Sequence, residues 1–309
     1  MTMRVHRRDR PAMSLVAKVG VMVTCLAATL AGCDQGTKVE ATAQPVKFNK
    51  SLHDRLPEAV RSAGVIRVAT DASYAPASYF GPDGRTIIGF EPDLAAALGQ
   101  VLGVRFEFIN VDFQSVLSRL AAHQVDVVIS AMTDTTDREK QVDFINYFTA
   151  GTAILVQRGN PQAITNLKDL CGKTVAVEEG TVQVDLLQRN SRGCPGVPIN
   201  IKTYPTNSDA LLELRTGRAA AVLNDYPPAA FSASDTKTRG NYQLASDTQY
   251  EPGAYGVAIA KDRSDLRDVL RDALQQLIRN GVYAEVLHRW SVTEGALKTA
   301  TINNGLIHG

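Results

Sequence analysis

From about residue 52 onward, apolar and polar positions alternate between two periods. Residues 52–62 carry the spacing of a short helix that stops at Ala63-Gly64, where glycine suits a helix end. Residues 65–69 then read as a buried strand, 92–101 as a helix, 104–109 as a strand, 113–122 as a helix and 125–130 as an apolar strand. A second series repeats the rhythm: strand 173–177, helix 182–188, strand 199–203, helix 208–216 and strand 219–223. Strand 255–260 and helices 266–279 and 282–290 close the pattern, and the residues from about 296 read as a loose tail. Strand–helix alternation predicts an α/β fold with a mainly parallel sheet and helices on both faces, and its occurrence twice predicts two lobes.

The first 33 residues obey neither period. Arg4, Arg7, Arg8 and Arg10 precede an apolar run over 15–31, interrupted only by Lys18, Gly20, Thr24 and Thr29, and the run ends in Leu30-Ala31-Gly32-Cys33. A basic start, a short apolar stretch and small residues before a cleavage point describe a secretory signal. Leu-Ala-Gly-Cys resembles the lipobox of bacterial lipoproteins, which implies cleavage after residue 32 and a lipid on the Cys33 sulfur. An uncleaved membrane helix is the alternative, since the run is nearly long enough to span a bilayer. Residues 33–51 lack any apolar period and read as a tether.

Composition changes this picture in two ways. The whole chain has 33 basic and 32 acidic residues; five basic residues and Asp9 leave with residues 1–32, so 28 and 31 remain, a net charge of −3. No basic cluster is left to bind nucleic acid. Of four cysteines, Cys25 leaves with the signal and Cys33 is the lipidation site, so Cys171 and Cys194 remain. An even pair outside the cytoplasm predicts a disulfide, which by chain entropy would contribute ~3 kcal/mol; two buried free thiols are the alternative. No histidine lies near either cysteine, and the five histidines show no ligand spacing, so neither metal nor cofactor is expected.

Open α/β sheets bind ligands beyond the carboxyl ends of their strands. That rule selects the loops 70–77, 110–113, 130–138, 178–183 and 224–226. They hold a coherent chemistry. Arg138 offers a planar fork of donors for a carboxylate, and Thr133 further donors. Asp225 follows a strand, where it could hold an ammonium or merely cap a helix. Asp71 is a second acid at a strand end, and Tyr74 and Phe113 could wall a pocket or fill the core. A carboxylate receptor, an ammonium receptor and aromatic walls suit a free amino acid.

Seven segments occur in an order that resembles the amino-acid-binding receptors of ABC transporters, the family with the histidine-, lysine/arginine/ornithine- and glutamine-binding proteins. They are Ile66-Arg67-Val68-Ala69-Thr70-Asp71 with Tyr74-Ala75-Pro76; Gly89-Phe90-Glu91-Pro92-Asp93-Leu94; Asp126 to Ser130 with Thr133 and Arg138; Val142-Asp143-Phe144 with Tyr147; Glu179-Gly180-Thr181-Val182-Gln183; Asn224-Asp225; and Asn280-Gly281-Val282-Tyr283. The resemblance covers roughly 60–292. It implies a periplasmic-binding-protein-like fold with two α/β lobes joined by two hinge crossings, near 148–153 and 251–255. Lobe 1 would be 52–150 plus 254–295, lobe 2 151–253, and 296–309 the C-terminal tail. It also implies that Arg138 clamps the ligand α-carboxylate with help from Ser130, Ala131, Thr133, Thr181 and Val182. Asp225 would take the α-ammonium, Tyr74 and Phe113 would sandwich the side chain, and Asp71 would face its polar end.

Three positions depart from the family pattern: Ala131 where serine or glycine is common, Asp134 where relatives are often apolar, and Glu178 where some glutamine binders place lysine. If Glu178 and Glu179 face the pocket rather than solvent, the site leans slightly towards basic or amide amino acids. The implied partners are the amino acid, an ABC permease and the bilayer reached through Cys33, with the protein exported, lipid-anchored at the outer face of the cytoplasmic membrane, and a monomer. Two rivals remain. One is a cyclohexadienyl-dehydratase-like enzyme on the same fold, against which stands the lack of any nucleophile–base pair. The other is a ligand sensor serving a separate signalling partner.

Overall fold

The computed structural model describes residues 45–305, so the leader, Cys25 and the lipidation site Cys33 lie outside the described residues. Its first elements are helices α1 (Lys50–Asp54) and α2 (Glu58–Ala63), strands β1 (Val65–Thr70), β2 (Ser73–Tyr74), β3 (Ser78–Phe80) and β4 (Ile87–Ile88), and helix α3 (Phe90–Leu102). Next come β5 (Arg105–Asn110), α4 (Val116–Ala121), β6 (Val127–Val128), α5 (Thr136–Glu139) and the long β7 (Val142–Gln157). Strand β8 (Thr174–Glu178), α6 (Val182–Arg192), β9 (Asn200–Tyr204), α7 (Asn207–Arg215), β10 (Ala221–Asp225), α8 (Tyr226–Ser234) and β11 (Tyr242–Leu244) follow. The series closes with β12 (Tyr250–Ala260), α9 (Ser264–Arg279) and α10 (Val282–Arg289).

Each element has a visible local cause. Helix α9 buries Leu266, Val269, Leu270, Ala273, Leu274 and Leu277, the stripe expected of a helix lying on a sheet. The single helix expected over 52–62 is two helices. Pro57 stands between them with extended backbone (φ −50°, ψ 138°) and begins the second, which ends at Gly64 in the left-handed conformation (φ 63°). The residues expected to open a helix at 113 instead form a 3₁₀ turn, Phe113–Ser115, before α4.

One sheet runs through the molecule in the order β5-β1-β6-β12-β7-β10-β8-β9, with β11 also on β7. Its flanks are parallel, as expected: β1 pairs β5 and β6, and β8 pairs β9 and β10. Its middle is not. Strands β7 and β12 pair antiparallel with each other, and each pairs antiparallel with its outer neighbour, β10 and β6 respectively. These two long strands lie at the middle of the sheet and run from one half to the other. The register between them shifts at Tyr250/Gly253 and at Tyr255/Gly256.

Each half has its own core on both faces of the sheet. In the first, Phe90, Val101, Leu102, Leu270 and Leu287 pack on one face, and Val116, Leu120 and Phe144 on the other. In the second, Leu170, Val175, Leu187 and Leu223 oppose Leu155, Leu214 and Val222. The disulfide Cys171–Cys194 is formed, with Cα atoms 5.6 Å apart, and ties the chain before β8 to the end of α6. The C-terminal residues are not loose as far as 305. Residue Ile302 bridges to Ile145, and Asn146 donates its N–H to Thr301 O at 2.9 Å. Among the described residues no helix is long and apolar enough to cross a membrane.

Candidate functional site

The strand ends of the first half are pinned to one another by short polar contacts. Asp71, just after β1, donates its N–H to Ser130 Oγ at 2.9 Å, and Ala72 N–H donates to Asn110 Oδ1 at 2.7 Å. Asp71 Oδ1 accepts the N–H of Ser73 at 2.7 Å, which sets the turn into Tyr74. Ala131 holds a left-handed backbone (φ 45°), unusual for alanine. Its N–H donates to Glu91 Oε1 at 2.6 Å. Glu91 is wholly buried and also accepts from Ser78 Oγ (2.6 Å) and the Tyr147 hydroxyl. Burial pushes this carboxyl up against the pull of those donors.

Arg138 rides on the single turn α5, capped by Thr135, whose Oγ1 accepts the Arg138 N–H at 3.2 Å. The guanidinium donates from Nη1 to Thr133 O at 2.7 Å and from Nη2 to Gly180 O, in the other half, at 2.9 Å. Its carbon lies 5.7 Å from the Phe113 ring centroid, a cation–π contact. The approach needs Gly180: its φ is +79°, and a Cβ there would come within 3.3 Å of Gln114 Cα. Burial lowers Arg138 to about 10, with Asp185, Asp225 and Asp134 opposing, so it stays cationic at neutral pH.

Three features of the second half face it. Thr181 stands at the N-cap of α6, but its hydroxyl donates back to Glu178 O at 2.8 Å and makes no capping bond. The first amides of that eleven-residue helix, Val182 and Gln183, therefore keep the partial positive charge of a helix start, which favours an anion. Asp225 stands at the N-cap of α8 and makes no capping bond either. Its carboxylate instead accepts from the Tyr74 hydroxyl (3.1 Å) and Gln183 Nε2 (2.8 Å), while its N–H donates to Tyr74 Oη at 2.9 Å. Burial pushes Asp225 up to about 6 in spite of those donors.

One cavity is lined by Asp71, Tyr74, Phe113, Ser130, Ala131, Thr133, Arg138, Thr181, Val182 and Asp225, together with Glu178 and Gln183. The structure thus brings together every pocket residue expected from the loops and the family resemblance. It adds Gln183, whose amide links Asp225 to Thr152 Oγ1 (3.2 Å). Of the two acids left open, Glu178 faces the cavity and is 4% exposed. Glu179 lies outside it, next to the Gln114 side-chain amide, which reaches its oxygens at 3.1 and 2.9 Å in the orientation that satisfies both groups. Glu178 Oε1 is buried with no hydrogen-bond partner among the described residues. Burial raises Glu178 well above the usual carboxylate range, and Asp71 and Asp225 push it the same way. Burial also raises Asp71.

One guanidinium therefore faces three carboxyls across the cavity. A larger groove lies between β7, α8 and the residues after α10; among the described residues its only charged lining residue is Glu294, and that acid would not receive a carboxylate. Among the described residues no cluster of metal-ligating side chains occurs.

Residues 66–293 match the bacterial extracellular solute-binding proteins, family 3, and the chain belongs to that family. It is 31% identical to the arginine-binding protein ArgT of Corynebacterium glutamicum, across 95% of this chain and 96% of that relative. It is 29% identical to the L-cystine-binding protein TcyJ of Escherichia coli K12, across 89% and 94%. Among solved structures, an ancestral arginine-binding protein bound to glutamine superposes with a TM-score of 0.68 at 33% identity, covering 74% of this chain and 98% of that one. These relatives are named as binding proteins rather than enzymes.

Proposed function

We propose that this member of the family is the extracytoplasmic ligand-capturing component of an ABC importer for polar amino acids, and that it prefers an amino acid with a cationic side chain. The observation that carries the reading is the unequal set of groups lining the cavity, one guanidinium against the carboxyls of Asp71, Glu178 and Asp225. An α-carboxylate would pair with Arg138 and the start of α6, and an α-ammonium with Asp225. That leaves Asp71 and Glu178, the latter with a buried oxygen lacking any partner among the described residues, for the ligand's side chain. A buried unpaired acceptor is unfavourable, and a guanidinium or ammonium relieves it. Arginine-named relatives point the same way.

A hinge-closure cycle is the one we propose for this fold. Lobe 1 is 52–150 plus 254–295 and lobe 2 is 151–253, hinged where β7 and β12 lose register. Ligand on one lobe recruits the other, and closure is held by contacts such as Arg138 to Gly180 and Tyr74 to Asp225. The closed, monomeric receptor is then read by a permease in the cytoplasmic membrane. Export by residues 1–32, a lipid on Cys33 and a tether over 33–51 keep it beside that permease.

Calorimetric titration of the mature chain with the common amino acids tests the binding reading. Arginine should bind and glutamate should not. A thermal-shift screen reports the same preference, since a ligand at 100 times its Kd adds ~2.7 kcal/mol of stability. Binding of acidic amino acids alone would overturn it. For the anchor, growth with labelled palmitate should label the full-length protein but not a Cys33→Ala variant; unlabelled protein would remove the lipid from the account.

A further inference from the structure

The segment after α10 contributes no named strand to the sheet, yet residues 301–305 run along the start of β7 and finish beneath the turn that carries Arg138. Each residue there is fastened. Thr301 Oγ1 donates to Asn146 Oδ1 (2.8 Å). Asn303 exchanges bonds with Phe144, N–H to O at 3.1 Å and Oδ1 from N–H at 2.8 Å, and its amide reaches Asp143 Oδ1 at 3.0 Å. The last two bonds go to the turn itself: Asn304 N–H donates to Asp134 Oδ2 at 2.9 Å, and Gly305 N–H donates to Glu139 Oε1 at 2.9 Å.

Those two acceptors bracket α5. Asp134 precedes the turn, is fully buried, and donates its own N–H to Ala254 O at 2.7 Å. Glu139 follows Arg138 directly. The two carboxyls are close to each other, since a Cβ added at Gly305 would lie 2.7 Å from Glu139 Oε1 and 2.9 Å from Asp134 Oδ1. Burial raises Asp134 to about 7, and Glu139 beside it pushes the same way. Among the described residues, the donors that meet the pair are Asn146 Nδ2 (2.9 Å from Asp134 Oδ2) and the two backbone amides of the C-terminal segment. Two acids at the foot of a four-residue turn would splay it without such donors, and the guanidinium would lose its aim.

We propose that residues 301–305 form a strap, and that Asn304 and Gly305 are positioning residues for the ligand site: their N–H groups bridge Asp134 and Glu139 and so hold Arg138 on the ligand carboxylate. The inference rests on the amino-acid-binding reading for its effect on affinity, but not for its effect on the turn. It explains why the carboxyl of Asp134 is tolerated in a fully buried place.

The test uses the mature chain with Asn304→Pro, which deletes the N–H, and Asn304→Ala, which keeps it. Without ligand, amide hydrogen exchange of Asp134, Arg138 and Glu139 should quicken in Asn304→Pro and return to the parental rate in Asn304→Ala. With ligand, Asn304→Pro should weaken L-arginine roughly tenfold, about 1.4 kcal/mol. It should leave agmatine, which lacks the α-carboxylate, unchanged. Unaltered exchange would overturn the strap, and so would equal weakening of arginine and agmatine, which would mark a general loss of structure. If the parental chain bound no arginine, the functional reading would fall while the exchange result still decided the strap.

Discussion

The two ends of the cavity are built on opposite principles. At the Arg138 end the guanidinium is already held, by Thr133 O, Gly180 O and the Phe113 face, and the start of α6 adds a fixed positive field. At the Asp71–Glu178 end two carboxyls crowd together, each disfavouring the other's charged form, and one buried carboxyl oxygen has no partner among the described residues. A preorganised end suits the group every amino acid shares. An end under electrostatic tension suits the group by which amino acids differ, because a cation there gains from two acids and a neutral chain gains little. Binding strength and selectivity are thus assigned to different residues, which can be perturbed separately.

The largest effect is expected from Arg138→Ala. Removing one partner of a buried charge pair costs about 3–5 kcal/mol, so every amino-acid ligand should lose affinity at least a hundredfold in calorimetry. Retained arginine binding would break the assignment of that end. Glu178→Gln should act more narrowly, weakening arginine by roughly tenfold, about 1.4 kcal/mol, with glutamine nearly unaffected. Equal loss for both ligands would mean that Glu178 supports the fold rather than chooses the side chain.

Acidity sharpens the contrast further. Glu178 and Asp225 have raised values in the free cavity, Asp225 at about 6, and a bound cation favours their charged forms. Binding therefore releases protons, and arginine affinity should rise with pH from 5 to 7, by up to about tenfold per unit for each proton released. Arg138, at about 10, contributes nothing to that slope. Titrations in two buffers of different ionisation enthalpy measure the released protons directly. The smallest effect on binding is expected far from both ends. Opening the Cys171–Cys194 bridge by serine substitution should lower stability by ~3 kcal/mol in chemical denaturation while leaving Kd within twofold, about 0.4 kcal/mol.

Much of this was legible in the residue pattern, and the failures share a cause. Helix α9 and strands β1, β8 and β10 carry clean periods and lie within a few residues of where they were expected. Strand β7 gave no strand signal because nearly all of its sixteen residues are buried, so no alternation marks it, and Thr149, Gly151 and Thr152 interrupt the apolar run. The strap was unreadable for a related reason: its bonds come from backbone amides and asparagines, which have no period. In the site, strand-end placement found the residues that touch the cavity. It could not rank Glu178 against Glu179, since adjacent residues point to opposite sides and the end of β8 sets which one turns inward. Glu91, which holds the Ala131 backbone, sits in the first turn of α3 like any helix-start acid, and only the fold reveals that it is buried.

The account's central claim is that the acidic end selects a cationic side chain. It is tested most directly by titrating the mature chain with L-arginine and L-glutamine side by side at pH 7. The account predicts tighter binding of arginine by roughly tenfold or more, about 1.4 kcal/mol, with more protons released by arginine than by glutamine. Equal affinity for the two, or tighter binding of glutamine, would contradict it.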